Sequence, residues 1–152
     1  MSTDYLTEGL QSLKTIQSES VDFVFSHAVL EHVRLTEFFD TMKEIRRIIR
    51  PNGVCSHCID LKDHFVSSLN NLRFSQKIWE SSIITNSSFY TNRLRYSQLL
   101  QLFKEACFET EVVTTTRWPH LPIPKQKMSS EFQSLPQEEL CISGFDVILK
   151  PI

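Results

Sequence analysis

Three patterns in fixed order constrain this 152-residue chain more than anything else in it. Val21-Asp22-Phe23-Val24-Phe25 is a compact run of β-branched and aromatic residues, the signature of a buried parallel strand. Leu35, Phe38, Phe39, Met42, Ile45, Ile48 and Ile49 then repeat at the 3.6-residue helical period over almost four turns. Pro51-Asn52-Gly53 stops that helix, and Val54 to Asp60 reads as a second strand. Strand 21–26, helix 35–49 and strand 54–60 make one β-α-β unit, which is a right-handed crossover in a parallel sheet. The class is therefore α/β.

The rest of the chain is read around this unit. Tyr5, Leu6, Leu10, Leu13 and Ile16 form an apolar stripe that predicts a helix over 5–16, weakened by Gly9. Beyond Asp60 the pattern loosens into a broken helical segment with Phe65, Leu69, Leu72, Ile78 and Trp79. Ser97 is the expected N-cap of a helix that turns Leu99, Leu100, Phe103 and Ala106 inward. Glu111 to Thr116 and Leu140 to Leu149 read as strands, and Pro119, Pro122, Pro124 and Pro136 prevent one regular element between them. Such a pair most simply runs antiparallel. The length suits a single domain over 1–152.

Composition narrows the function. Gly9, Gly53 and Gly144 are the only glycines, so neither G-x-G-x-x-G nor a P-loop can occur. A formal charge of -2 gives no basic field for nucleic acid or an anionic membrane, so neither is an expected partner. The start MSTDYLTEGL is acidic, no long apolar run occurs, and a soluble cytoplasmic chain is expected. Lys43, Arg46, Arg47 and Arg50 read as a solvated helix face. Cys55, Cys58, Cys107 and Cys141 read as reduced thiols. Cys55-x-x-Cys58, with His57 between and His64 beyond, invites a zinc reading, but strand alternation points the two cysteines apart and no second C-x-x-C follows, so buried structural cysteines are the better reading.

The run Ser20-Val21-Asp22-Phe23-Val24-Phe25-Ser26-His27-Ala28-Val29-Leu30-Glu31-His32-Val33, then the helix and Ile48-Ile49-Arg50-Pro51-Asn52-Gly53, resembles the second half of a class I S-adenosylmethionine-dependent methyltransferase of the type 11 kind. Ile59-Asp60-Leu61-Lys62-Asp63-His64-Phe65, Asn92-Arg93-Leu94-Arg95 and Phe103-Lys104-Glu105-Ala106-Cys107-Phe108 are similar to a subgroup of these enzymes. The resemblance implies a partial Rossmann-like sheet of parallel strands with covering helices and a C-terminal antiparallel pair. It implies S-adenosyl-L-methionine as cofactor and a small-molecule or glycan-type acceptor. The family's glycine-rich cofactor loop and ribose-binding acid have no counterpart here, so the chain is expected to be the C-terminal, truncated part of that fold, with doubtful activity alone. Cys107 stands where the family's Ala-Gly-Phe ends a helix, which puts that cap in question.

Site residues are carried over by position. In the family resembled, the carboxyl end of this strand and the loop after it line cofactor and acceptor, in keeping with ligand sites outside the carboxyl ends of parallel strands; the resemblance thus implies Ser26, His27, Ala28 and Val29 as cofactor-binding, with Ser26 and His27 facing the cofactor, and the plain alternative is that they only end the strand and cap the turn. His32 and Glu31 are the catalytic candidates, His32 as proton acceptor or as an anchor of the turn. Asp60, His64, Arg93 and Arg95 are the expected acceptor rim, the alternative being that the arginines pair with surface acids. Small-RNA 2'-O-methyltransferases bind a divalent ion with Glu-x-x-Glu-His and a further His; Ala28 occupies the first of those positions, so no metal is expected. The rival reading is a non-catalytic interaction or oligomerisation module, in which an uncovered sheet edge pairs with a second copy or a missing N-terminal half. A gene fragment without a separate role is a third.

Overall fold

A computed structural model describes residues 3–152. The helices are α1 (Leu10–Thr15), α2 (Leu35–Ile48), α3 (Gln76–Trp79), α4 (Ser82–Thr85), α5 (Tyr96–Glu105), α6 (Ser130–Gln133) and α7 (Gln137–Leu140). The strands are β1 (Val21–His27), β2 (Ile49–Asp60), β3 (Phe108–Arg117) and β4 (Ile142–Pro151), with a single 3-10 turn, Leu30–His32, between β1 and α2. They form one sheet in the order β1-β2-β4-β3, with β1 parallel to β2 and the other two pairings antiparallel. The α/β class, the β-α-β unit and the C-terminal antiparallel pair are as the sequence predicts.

Strand alternation gives the sheet two unlike faces. Cys55, His57 and Ile59 of β2 and Phe145, Val147 and Leu149 of β4 are buried, most of them in one core with Phe38, Met42 and Ile45 of α2 and Leu99 and Phe103 of α5. The register places Phe23, Phe25 and His27 beside Val54, Ser56 and Cys58 on the opposite face, where Phe23 and Phe25 are exposed and stack on each other. A smaller core of Leu69, Leu72, Ile123, Met128, Phe132 and Leu140 ties the segment after β2 to the proline-rich stretch before β4.

Several boundaries differ from the sequence reading. The helix over 5–16 is cut to Leu10–Thr15 because Gly9 takes φ +53°, a left-handed conformation that ends a right-handed helix, and Tyr5 and Leu6 are left exposed. The second strand starts at Ile49 rather than 54, running through Pro51-Asn52-Gly53 where the pairing with β1 shifts register. Ser97 is not the N-cap of α5. Arg95 is, and Ser97 instead donates from its backbone N and its Oγ to Glu139 Oε1 (2.8 and 2.9 Å). Leu140 ends α7, so the last strand begins at Ile142.

The basic end of α2 is partly tied down. Arg47 donates to the carbonyls of Leu13 and Ile16 and to Glu44, joining α1 to α2, and Arg50 pairs with Asp22. All four cysteines are free. Burial pushes the Cys55 thiol up to about 12 and, with Asp146 adding to burial, Cys58 up to about 11, so both stay protonated at neutral pH.

Candidate functional site

The carboxyl ends of β1 and β2 lie side by side, His27 opposite Cys58, and the chain leaves both in polar turns. After β1, Ala28 takes φ +53° while its N–H still bonds the Cys58 carbonyl (2.9 Å), an uncommon conformation for a residue with a Cβ. It swings the backbone into the Leu30–His32 turn. Asn92 clamps that turn: its Nδ2 donates to the carbonyls of Leu30 (2.8 Å) and Val33 (3.1 Å), and its N–H donates to the Glu31 carbonyl (2.7 Å).

The turn sends Glu31 inward and leaves His32 one free nitrogen. Glu31 is buried, and neither carboxylate oxygen has a hydrogen-bond partner among the described residues. Burial, with nearby Asp60 adding to it, raises its carboxyl to about 7. His32 Nδ1 bonds the Tyr90 carbonyl at 2.9 Å. A carbonyl only accepts, so Nδ1 carries the proton and Nε2 of the neutral ring keeps its lone pair.

His64 arrives from the turn after β2. Asp63, itself buried, accepts from the N–H groups of Phe65 (3.0 Å), Val66 (2.9 Å) and Asn70, and this Asx-type turn holds the backbone that presents His64. The His64 ring lies edge-on to His32 with centroids 4.6 Å apart. One ligand-capable atom from each of Glu31, His32 and His64 lies within 4.8 Å of the others. Asp60 stands at the end of β2, its carboxylate accepting from the Lys62 N–H and pairing with Lys62 Nζ at 3.4 Å.

Ser26 and His27 do not face one ligand together. They are adjacent in an extended strand and point to opposite faces. Ser26 lies on the helix side, where its Oγ bonds Nδ1 of buried His57 at 2.8 Å and both line a cavity of about 380 Å3 with Val29, Leu30 and His32. His27 and Ala28 line a second cavity, about 290 Å3, with Asp60, Lys62, Thr114, Thr116 and Asp146.

Arg93 and Arg95 are both buried, and their guanidinium groups hold the interior together. Arg95 donates to the carbonyls of Leu61 and Ile142, each at 2.8 Å. Arg93 donates to the carbonyls of Asn71 and Phe74 and to Gln76, with Glu131 at 3.4 Å.

Three residues that shape the site were not among the expected site residues: Asn92 and Asp63 stand in segments that carry the family resemblance, and His57 entered only the zinc reading. His57 was within reach of strand alternation, since it shares the inward side of β2 with Cys55 and Ile59.

Known proteins share the fold and, over its first part, the sequence pattern of this chain. The family described as a methyltransferase domain matches residues 2–57. A SAM-dependent methyltransferase from Methanosarcina mazei superposes with a TM-score of 0.59 at 15% identity, over 91% of this chain and 62% of that one. Another from Archaeoglobus fulgidus gives 0.58 at 11% identity, over 95% and 65%. The YcgJ protein from Bacillus subtilis gives 0.55 at 13% identity, over 91% and 67%. No curated protein matches the chain. The chain thus spans less than two thirds of the first two structures, and at these identities the likeness is one of fold. Matched segment and strand arrangement bear out the resemblance carried by Leu30-Glu31-His32 and its flanks: the chain has the fold of the S-adenosylmethionine-dependent methyltransferases.

Proposed function

We propose that this chain supplies the acceptor side of an S-adenosylmethionine-dependent methyl transfer to a small-molecule or glycan-type acceptor. The observation that carries the reading is the convergence of Glu31, His32 and His64 at the carboxyl ends of the two parallel strands. The 290 Å3 cavity that Asp60 and Lys62 line has room for a sugar-sized ligand, and its hydroxyl, ammonium and carboxylate lining suits a polyhydroxylated one.

The residues present fit only one flank of the cofactor. The turn of Ala28, which lines the one cavity, and Val29, which lines the other, would form that flank. None of the three glycines offers a cradle for the methionine end: a Cβ at Gly53 would meet Asp22 O at 3.0 Å, one at Gly144 would meet Ile59 O at 2.8 Å, and Gly9 faces open space. When bound, S-adenosylmethionine supplies an electrophilic methyl group. The chain's own task is then to position the acceptor and exclude water. Nε2 of His32 takes the proton of an acceptor hydroxyl or amine, Glu31 beside it keeps the centre anionic when ionised, and Asp60 with Lys62 orients the acceptor's other polar groups.

The chain alone is therefore expected to hold the cofactor weakly or not at all. Calorimetric titration with S-adenosylhomocysteine tests this: no saturation through the micromolar range is expected, and tight micromolar binding would overturn it.

A second reading, a non-catalytic interaction or oligomerisation module, is favoured by one observation. β1 is an edge strand of the sheet and carries the exposed, stacked Phe23 and Phe25. Pairing through this edge with a second copy or with a separate N-terminal half predicts an assembly in light scattering that Phe25→Ser disperses; a stable monomer excludes it. Among the described residues no helix is long and apolar enough to cross a membrane.

A further inference from the structure

A carboxylate buried without hydrogen bonds is costly unless something positive sits beside it. Glu31 is such a group: only 4% of its surface is exposed, and neither oxygen has a partner among the described residues. No arginine or lysine answers it, since Arg93 and Arg95 are committed to carbonyls and Lys62 to Asp60. Two imidazoles stand in that place instead, His32 with Nδ1 held by the Tyr90 carbonyl and His64 presented by the Asp63 turn.

We infer that Glu31, His32 and His64 form a binding site for one divalent transition-metal ion of the zinc or cobalt type. Two imidazole nitrogens and one carboxylate are a sufficient protein set for an ion that keeps open positions, so the absence of an acid at Ala28 does not empty the site. Bonds of about 2.0–2.2 Å place ligand atoms roughly 3.0–3.5 Å apart around such an ion. The present separations, all within 4.8 Å, reach that range by small side-chain rotations, and exposed His64 has the freedom to make them. The hydrogen bond from His32 Nδ1 to Tyr90 orients the ring and leaves Nε2 as the coordinating atom, the usual outer-shell support of a ligating histidine. With an ion bound, His32 acts as a ligand rather than as a base, and the open positions suit a water or an acceptor hydroxyl, which the ion makes more acidic.

The test is metal affinity, which does not depend on methyl transfer, so its failure would leave the proposed function standing. Zn2+ is titrated calorimetrically into the full chain with a non-coordinating reductant present, and Co2+ is followed by its visible absorption. One ion per chain is expected, with a rise in Tm on adding Zn2+. His64→Ala, at an exposed position that leaves the core intact, and Glu31→Gln, of the same shape, are each expected to weaken binding at least tenfold. His120→Ala, at an exposed position outside the cluster, leaves it unchanged. Absence of saturable binding, unaltered affinity in His64→Ala with circular dichroism showing a folded variant, or loss of binding in Cys58→Ser would each overturn the site.

Discussion

His57 offers a sharp physical test of the core beneath the site. Its ring is 1% exposed on the helix side of β2, Nδ1 meets Ser26 Oγ, and Nε2 has no partner among the described residues. Burial alone lowers it from the ordinary 6.5 to about 4. Between those values the unfolded chain binds a proton that the folded chain refuses, so stability is lost as pH falls and the dependence vanishes above 6.5. At about 1.4 kcal/mol per unit, the window is worth about 3 kcal/mol. Glu31 acts in the opposite sense: its carboxyl, raised from 4.5 to about 7, binds a proton more readily folded than unfolded, so its contribution falls as pH rises through that range. The two largely cancel in a simple pH profile. The measurement is therefore urea unfolding of the chain and of His57→Gln at several pH values from 7 to 4, read as a difference. The native chain should lose about 3 kcal/mol relative to the variant across the window. A difference that stays flat, or an NMR titration placing His57 near 6.5, would refute the buried neutral ring.

Cys107 ends α5 at φ +64° and is exposed, so Cys107→Gly relieves left-handed strain without removing packing and should raise stability by about 1 kcal/mol in urea melts; a loss would contradict the conformation. Gly144→Ala should cost about 1–3 kcal/mol in the same assay, because the new methyl meets the Ile59 carbonyl across the β2–β4 pair, and an unchanged midpoint would refute that close approach. Arg95→Lys should not rescue Arg95→Met: one ammonium cannot reproduce the fork to Leu61 and Ile142, and each variant is expected to lose about 3 kcal/mol or more, against near-native unfolding if the arginine were a surface group.

The parts of the fold that were legible in the sequence are those whose packing is local in periodicity. β1, α2 and β2 each bury one side, so the period of Phe38, Met42 and Ile45 and the compact run from Val21 announce them. Boundaries failed where one backbone conformation decides: the stripe of Tyr5 and Leu6 continues the period of α1, but Gly9 at φ +53° cuts it. The site was legible in position and not in partnership. Glu31, His32, Asp60 and His64 were named from their place after the strands, and the structure brings them to one end of the sheet. The burial of Arg95 is not legible, because its partners, Leu61 and Ile142, lie 34 and 47 residues away in sequence and nothing in Asn92-Arg93-Leu94-Arg95 says that a guanidinium is buried. Ser26 and His27 were joined in one role although alternation already separated them, the same rule that kept Cys55 and Cys58 apart.

The carboxyl end of β1 is proposed to form one flank of a cofactor site. Titration of S-adenosylhomocysteine into the 15N-labelled chain, followed by amide NMR, tests location and strength together. Shifts confined to His27–His32 and the Asp60–His64 turn are expected, growing without saturation through the micromolar range. Saturation at micromolar ligand, or shifts that map to the Phe23 and Phe25 face or to α5, would contradict it.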